Sequence, residues 1–416
     1  MSVSLLTKIG AKAAAFLMTL VLARNLTLDD YGVFAFVSAW LLFFVIVGVA
    51  GLDTAAMRFV AQYSEEVDSV DKASMFVKWA RRRVLLTASV VAVMAYLAAL
   101  AMGPQRAHLS DSLLVTAVLV LPFLALTQFQ QFALRAKRLV GQADFVGQII
   151  RPSIVAVLVA VATLLSVQLT SSQAMMALLG GTGLSAIAGE FWLRRAIPPV
   201  TLKPSIEQKR QWGKAALPML WISGSHFLLH QLDILMLGSL AGMENVAPYA
   251  VASRLADVVA FSLVVASGIV APLISSLYHS HRLHELREML KVAGRWVSIA
   301  ALLVAATLFV VREPLLGLFG PEYRTAQIVL TVLIAGQLVN AFSGPVGFLL
   351  SMTGYQRGSA IILGAGVAIN VVLNLWLIPV YQELGAALAT ATTTVFWNFS
   401  MTLFAQRQLG LRATPI

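Results

Sequence analysis

Residues 213–255 read GKAALPMLWISGSHFLLHQLDILMLGSLAGMENVAPYAVASRL, and this stretch decides the fold class. Its first part, Ala215–Leu240, contains no Lys, Arg or Glu. As a helix this part would extend about 39 Å, more than the roughly 30 Å hydrocarbon core of a bilayer. A short turn at Gly242–Val246 leads into a second apolar segment. The stretch therefore predicts a membrane hairpin.

Three polar side chains lie inside the first part of this hairpin: His226, His230 and Asp233. Polar groups without partners are costly in hydrocarbon, so we expect these side chains to face protein or water rather than lipid. The hairpin thus implies a polar interior.

The composition of the whole chain is typical of a membrane protein. Hydrophobic residues make up 59% of its 416 positions and charged residues 12%, and the mean hydropathy is +0.83. Soluble domains carry about 25% charged residues. The sequence has no Cys, which excludes disulfides and thiolate metal sites. No signal-peptide pattern is found at the start, so we expect the first helix to remain as a span.

Twelve apolar segments have the length of a membrane span. They are 5–26, 32–53, 82–102, 112–134, 143–168, 174–193, 214–240, 247–272, 296–311, 326–352, 358–380 and 384–405. Two charged segments with apolar residues at helical spacing, Ser64–Arg83 and Ser280–Arg295, are expected to be surface helices at the cytoplasmic face. The sequence predicts an all-α integral membrane protein with twelve transmembrane helices.

The basic residues are distributed asymmetrically between the predicted loops. With the N-terminus in the cytoplasm, 24 of the 30 Lys and Arg residues fall on the inner side and 4 on the outer side. This positive-inside bias predicts that both termini are cytoplasmic. It also explains the net charge of +11 by attraction to anionic membrane lipids, so no nucleic-acid partner is expected.

A weak internal repeat relates the two halves of the chain. Gly10-Ala-Lys12 matches Gly224-Ser-His226 at an offset of 214, and further matches follow at offsets up to 217. Because six helices separate the copies, both halves begin on the same side of the membrane. We therefore expect a 6+6 parallel repeat, with one six-helix bundle in residues 1–205 and another in residues 206–416.

Five segments combine apolar residues with Gly, Arg and Asp at characteristic positions. They are LARNLTLDDYGVFAFVSAW (Leu22–Trp40), GLDTAAMRFVAQY (Gly51–Tyr63), HQLDILMLGSLAGMENVAPYAVASRL (His230–Leu255), LFGPEYRTAQIVLTVL (Leu318–Leu333) and LLSMTGYQRGSA (Leu349–Ala360). Together they resemble the polysaccharide-biosynthesis (O-antigen type) flippases of the multidrug/oligosaccharidyl-lipid/polysaccharide exporter superfamily, over essentially the whole chain. Lipid II flippases are similar too, but usually have two extra C-terminal helices that we expect to be absent here.

This resemblance implies two six-helix bundles around a central cavity that opens alternately to the two membrane faces, a MATE-like architecture. It implies that a polyprenyl-pyrophosphate-linked oligosaccharide is carried from the cytoplasmic to the outer face of the inner (plasma) membrane, for polysaccharide or lipopolysaccharide biosynthesis. Drug exporters of the superfamily commonly use an acidic residue in the first helix for cation coupling, whereas this first helix carries Lys12.

A pyrophosphate that crosses hydrocarbon needs a wet and cationic path. Lys12 and His226 each lie about 18 Å of helix from the end of their span. They are counterparts in the repeat, so they could face each other across the cavity. Alternatively, Lys12 snorkels to the cytoplasmic surface and His226 is a hydrogen-bonded interior histidine.

Three arginines are further candidates for this path. Arg151 lies about 12 Å inside its helix, beside Pro152, which can kink the helix there. Its planar, permanent charge suits phosphate capture, and snorkelling to headgroups is the alternative. Arg58 and Arg24, at the inner and outer ends of the first helix pair, could contact substrate at the two ends of the path, although Arg24 could also be an interfacial anchor.

Asp233 and Arg254 lie at similar distances on either side of the hairpin turn, so we expect them to pair, with Arg254 as a further cavity cation. Asp257, one turn beyond Arg254, is a competing partner. The pairing is either structural or belongs to a coupling and gating site for a proton or sodium ion. Candidates for contacts with sugar hydroxyls, or for polar links between helices, are Asn340, Asn370, Asn374 and Asn398.

The sequence contains no Gly-rich phosphate loop after a strand, no HExxH and no G-x-S-x-G. We therefore expect a transporter without a cofactor, driven by an ion gradient, the membrane potential or a partner such as a polysaccharide polymerase. The alternatives are a cation-coupled multidrug exporter and a membrane-embedded polysaccharide polymerase or ligase. Lys12 argues against the first alternative, and the short external loops argue against the second.

Overall fold

The computed structural model describes residues 2–65, 70–101, 109–166, 168–202 and 204–411. Within these ranges, the side chains outside the description are those of residues 2–5, 65, 70, 217–218, 221–223, 225–230, 268–269 and 272. Every regular element in the described ranges is helical, as predicted. The chain divides into two compact units, Met1–Phe227 and Leu228–Ile416.

In the described part of the first unit, the helices Leu28–Val49 and Asp111–Ala136 begin at polar caps. Thr27 and Ser110 accept backbone N–H groups of Asp30 (3.1 Å) and Leu113 (3.3 Å), which satisfies donors that a helix start leaves open. The elements are α1 (Ser2–Asn25), α2 (Leu28–Val49), α3 (Leu52–Glu65), α4 (Val70–Ala101), α5 (Asp111–Ala136), α6 (Val140–Asp144), a π-helix (Phe145–Ile150), α7 (Arg151–Leu164), α8 (Ser171–Ala196) and α9 (Ile206–Leu240), which continues into the second unit.

The second unit contains several short helices, and some of its longer ones are interrupted. Its elements after α9 are α10 (Met243–Ala256), α11 (Phe261–His279), α12 (Leu283–Val310), α13 (Arg312–Gly317), a 3₁₀-helix (Pro321–Ala326), α14 (Gln327–Phe342), α15 (Val346–Met352) and α16 (Gln356–Leu409). The break between α10 and α11 falls at residues 257–260 and bends the two helices by 47° relative to each other.

The longest element, α16, is a hairpin of two helical arms. Gln382 has φ 51° and ψ −127°, which no helix accommodates, and it separates a first arm (356–381) from a second arm (383–409). Asn374 and Thr390 would be about 24 Å apart in a straight helix, yet both bind the carboxylate of Asp233. The arms therefore run back along each other, and they account for the predicted spans 358–380 and 384–405.

Nine helices in the described ranges are long and apolar enough to cross a membrane, and counting the bent α10–α11 pair as one span gives ten. Helix α4 shows the surface that lipid requires, since Leu86, Val90 and Leu97 project from it with more than half of their area exposed. The predicted all-helical, multi-pass membrane fold is confirmed at this level.

The two predicted surface helices are wrong as separate elements. The charged residues from Asp71 to Arg83 belong to α4, and those from Glu285 to Arg295 belong to α12, so both runs continue directly into a span. The start of α4 is held by the loop after α8, because Ser74 Oγ donates to the carbonyl of Pro198 at 2.7 Å and Lys78 Nζ to that of Val200 at 3.0 Å.

The boundary between the two units falls inside α9, later than the predicted boundary at residue 205. The reason is Trp212, which is fully buried in the first unit. Its indole N–H donates to the hydroxyl of Tyr63 at 3.1 Å, and its ring lies 5.2 Å from that of Phe76. Gly51, at φ 74°, lies where any Cβ would collide with the carbonyl of Ala216. Both contacts fix the beginning of α9 to the first unit.

Candidate functional site

The second unit encloses a buried carboxylate on α9, that of Asp233, which is 5% exposed. Tyr249 on α10 donates its hydroxyl to Oδ2 at 2.9 Å, and Thr390 on the second arm of α16 donates to the same atom at 2.5 Å. Asn374 on the first arm donates from Nδ2 to Oδ1 at 2.9 Å. Three helices therefore converge on one acidic group, and each partner is neutral.

The predicted ion pair between Asp233 and Arg254 is wrong. The carboxylate is held by the three neutral donors, and Arg254 is exposed on a different face of α10 from the buried Tyr249. Five residues separate Tyr249 from Arg254, which turns the helix by about 140°. Equal depth along the hairpin does not by itself bring Asp233 and Arg254 together, because Arg254 lies on a different face of α10 from the residue that contacts Asp233.

Two asparagines on the first arm of α16 extend this cluster. Asn374 is 0% exposed and Asn370 is 2% exposed, and Nδ2 of Asn374 donates to Oδ1 of Asn370 at 2.9 Å. Oδ1 of Asn374 is buried and has no hydrogen-bond partner among the described residues. An orphaned buried oxygen beside a carboxylate is costly unless something satisfies it.

The second predicted coupling residue, Asp257, lies at the break between α10 and α11. It is half-buried, and Gln337 on α14 donates from Nε2 to its Oδ1 at 3.4 Å. Interrupted helices at membrane depth are tolerated where they are enclosed by protein or line water, and transporters often place ion and substrate sites there.

In the first unit, Lys12 on α1 and Arg151 on α7 lie close in sequence to a contact between Gly10 and Ile149. The side chain of Ile149, in the π-helix, packs against Gly10 of α1. Lys12 is two residues after Gly10, and Arg151 is two residues after Ile149, which corresponds to about 3 Å of helical rise in each case. Lys12 is exposed at the middle of α1, and Arg151 is half-buried at the start of α7. The structure therefore places two of the predicted cations at similar positions along adjacent helices, and, because two residues turn a helix by about 200°, each lies away from the face that makes this contact.

Two further predicted cations lie at other places. Arg24 is exposed near the end of α1, about 18 Å of helix beyond Lys12. Arg58 is exposed on α3, with its guanidinium 5.5 Å from the ring centre of Phe59. The side chain of His226 lies outside the described residues, so its predicted relation to Lys12 stays a prediction.

A family model described as "Polysaccharide biosynthesis protein" matches residues 1–278, about two-thirds of the chain. The chain belongs to this family. The predicted family is thereby confirmed, and with it the prediction that the chain is of a transporter family and not an enzyme. A second family model, MatE, matches residues 218–376 of the same chain.

One relative of this family member is the succinoglycan biosynthesis transport protein ExoT of Rhizobium meliloti (strain 1021). The two are 26% identical over 336 residues, which cover 79% of this chain and 64% of ExoT. The match thus spans less than two-thirds of the length of that curated relative.

Two solved structures show the fold of the polysaccharide biosynthesis family member. An inward-facing multidrug resistance MATE family transporter of the MOP superfamily has a TM-score of 0.74 at 13% identity, covering 96% of this chain and 94% of its own. The lipid II flippase MurJ, in an inward closed conformation, also has a TM-score of 0.74, at 12% identity, covering 98% of this chain and 88% of its own. The predicted MATE-like fold is confirmed by both.

Sequence reasoning missed the partners of Asp233 and Asp257. Tyr249, Thr390 and Gln337 were not candidates, and Asn370 and Asn374 were considered as sugar contacts or as polar links between helices, not as partners of an acid. One signal was available, because Asn370 and Asn374 stand four residues apart and so share a face of one apolar helix. Their connection with Asp233 depends on the hairpin of α16, which the spacing of residues does not specify.

Proposed function

We propose that this protein is a flippase that carries a polyprenyl-pyrophosphate-linked oligosaccharide from the cytoplasmic to the outer face of the plasma membrane by alternating access. Membership of the polysaccharide biosynthesis family supports this function. The relative described as a succinoglycan biosynthesis transport protein supports a polysaccharide pathway as its setting.

The observation that carries this proposal is the pair Lys12 and Arg151. Both lie within about one helical turn of the Gly10–Ile149 contact, deep within their spans. A charge at this depth is costly against lipid, so we propose that Lys12, which is exposed, and Arg151, which is half-buried, face the transport path. Two cations on adjacent helices suit a pyrophosphate, whose oxygens accept charge-assisted hydrogen bonds. Arg24, Arg58, Arg254 and His226 would be further contacts along the path.

The membrane topology that we propose has twelve spans, six in each half of the chain, with both termini in the cytoplasm. The bent α10–α11 pair adds a tenth span to the nine candidates, and the division of α16, itself one of the nine, into two arms adds an eleventh. Helix α9, with 35 residues and an apolar end at Gln231–Leu240, supports the last. The excess of basic residues in the predicted inner loops supports the orientation.

Energy for transport would come from a monovalent cation, a proton or sodium, bound at Asp233. The side chains present fit such a cation. A 180° rotation of the Asn374 amide would place its orphaned Oδ1 beside the oxygens of Asp233 and Asn370, and the hydroxyl oxygen of Thr390 lies 2.5 Å from the same carboxylate. Oxygen ligands of this kind bind hard cations.

Vesicles that contain the purified protein and a polyprenyl-pyrophosphate-linked oligosaccharide test this function. A glycosidase added outside should digest more than half of the sugar when the protein is present, because inner-leaflet sugar is carried to the outside. Protein-free vesicles should expose only the sugar that starts outside. Equal digestion in both preparations would contradict the flippase.

The MatE model over residues 218–376 supports cation-coupled drug export as the second candidate. It is distinguished in the same vesicles. An exporter would move a fluorescent organic cation when a sodium or proton gradient is applied, and would leave the lipid-linked sugar where it was.

A further inference from the structure

A series of residues joined by hydrogen bonds within the second unit begins at the carboxylate of Asp233. The hydroxyl of Thr390 donates to Asp233 Oδ2 at 2.5 Å. One turn further along the second arm of α16, Thr394 donates to the carbonyl of Thr390 at 2.8 Å, and Asn398 donates from Nδ2 to the carbonyl of Thr394 at 2.9 Å. These three residues lie four apart and so form one polar stripe on the helix, about 12 Å long.

The series leaves α16 at Asn398 and ends at the second carboxylate, Asp257. Nδ2 of Asn398 also donates to Oδ1 of Asn340 on α14, at 3.3 Å. Nδ2 of Asn340 donates to Oε1 of Gln337 at 3.3 Å, and Nε2 of Gln337 donates to Oδ1 of Asp257 at 3.4 Å. The two acidic residues are thus linked from residue to residue through the second arm of α16 and through α14.

The direction of the donors makes Asn398 the centre of the series. Asn398 donates both ways, and each later group donates onward until a carboxylate accepts. Thr390 and Thr394 each accept at the backbone carbonyl and donate from the side-chain hydroxyl, so along α16 a change at one end is transmitted as a movement of the helical arm. Asn398 is 3% exposed and Thr394 5% exposed, so water does not compete at the centre.

The Asp257 end of the series lies at the break between α10 and α11, where the backbone can change its conformation. Residues 257–260 separate α10 from α11, and the helices are bent by 47° there. Breaks between helix segments are where hinges absorb changes of backbone angle. Gln337, which donates to Asp257, is itself half-buried.

We propose that Asn398 is a positioning residue that links cation binding at Asp233 to the conformation of the α10–α11 break at Asp257. A cation at Asp233 competes with the Thr390 hydroxyl for Oδ2. The resulting shift of Thr390 and Thr394 changes the bonds of Asn398, and through Asn340 and Gln337 it changes the hold on Asp257. The inference rests on the cation site of the proposed function, and the link is reciprocal, so the break also influences cation affinity.

The test uses the purified full chain in lipid nanodiscs, with sodium chloride replaced by choline chloride as the reference. Cation binding at Asp233 is measured as the sodium-dependent rise in Tm, and the conformation of the break as hydrogen exchange in residues 253–264. In the wild type, sodium should raise Tm and change exchange at the break by about fivefold or more, the lower range of typical coupling between sites.

Two variants interrupt the series at different places. Asn398→Leu removes its centre with little change of volume, and Gln337→Met interrupts it at a half-buried position where folding is less at risk. Both should keep a sodium-dependent rise in Tm and lose the exchange response at the break. The matched control is Thr393→Val, a buried position on the same arm whose hydroxyl donates to the carbonyl of Ala389 at 2.7 Å, outside the series. It should retain both responses.

The outcomes separate the link from the cation site. If Gln337→Met and Asn398→Leu show the wild-type exchange response, the link is wrong and the cation site stands. If sodium raises the wild-type Tm without changing exchange at the break, the link is likewise wrong. If sodium changes neither quantity in the wild type, the sodium site and the link both fall, while flipping of the lipid-linked sugar remains open to its own vesicle test.

Discussion

The hydroxyl oxygens of Tyr249 and Thr390 lie 3.3 Å apart and both donate to the same carboxylate oxygen of Asp233. Two helices are thereby tied to a single atom of a third. Since a buried carboxylate has no water to replace a lost donor, the stability of the second unit depends on both hydroxyls.

Tyr249→Phe and Thr390→Val should each lower the free energy of unfolding by about 1.5–3 kcal/mol, the range for hydrogen bonds to charged groups. Thermal unfolding of the purified protein measures the loss. Thr393→Val removes a neutral hydrogen bond from the same helix and should cost about 0.5–1.5 kcal/mol. Equal losses at Thr390 and Thr393 would argue against a charged carboxylate at Asp233.

Asp233→Asn and Arg254→Gln should act independently on stability, because the carboxylate is held by neutral donors and not by Arg254. The double variant should therefore equal the sum of the single effects to within about 0.5 kcal/mol. If the double variant recovered stability, this result would support the ion pair between Asp233 and Arg254 that the sequence suggested.

Lys12→Ala and Arg151→Ala should each reduce transport in a glycan-export assay by about tenfold or more, because a charged hydrogen bond to the pyrophosphate is lost. Membrane abundance should not change, since Lys12 is exposed and Arg151 is half-buried. Lys12→Arg and Arg151→Lys should retain more activity. Lys209→Ala, an exposed position at the start of α9, removes the same charge elsewhere and should export normally.

The sequence has no native cysteine, so single cysteines can report the topology without background. Cysteines at exposed Lys209 and Arg357 should be protected from a membrane-impermeant thiol reagent in intact cells. Cysteines at exposed Glu244 and Glu322 should react. Labelling in the opposite sense at all four positions would remove the basis for outward transport.

Gly51→Ala should lower the free energy of unfolding by more than about 1 kcal/mol, because alanine disfavours φ 74° and its Cβ would meet the backbone of α9. The matched control is Gly213→Ala, where a Cβ finds open space within a helix. That change should be neutral or stabilising in the same thermal unfolding experiment, since alanine favours a helix. Equal effects at both positions would mean that the close approach of α9 does not contribute to stability.

The helical, membrane-spanning character of the fold could be predicted from the sequence, because the length and hydropathy of apolar segments reflect the thickness of a bilayer. The interval between the predicted spans 358–380 and 384–405 contains Gln382, where the chain does reverse. The separate surface helix at Ser64–Arg83 was not found, since charges at one end of an apolar helix do not interrupt it. Hydropathy marks where a helix is buried in lipid and not where it begins.

The candidate site was only partly readable. Asp233 was identified from the cost of an acid in an apolar segment, but the choice of Arg254 considered charge and depth without the helix face. The true partners are far along the chain: Asn374 is 141 residues and Thr390 157 residues from Asp233. Contacts at such separations follow from tertiary packing, which local spacing does not encode.

These separations also set an order of events during synthesis. When Asp233 enters the bilayer, neither arm of the α16 hairpin has yet been made. At roughly 5–20 residues per second, translation needs about 8–30 s to supply the last donor at Thr390. Throughout that interval the nascent chain carries an acidic group in an apolar helix, and of the three described donors to it, Tyr249 on the adjoining hairpin arm is the one that has already been made. The carboxylate thus exposes the unfinished second half to membrane quality control until the final hairpin inserts, so translational pausing between residues 249 and 390 should increase degradation.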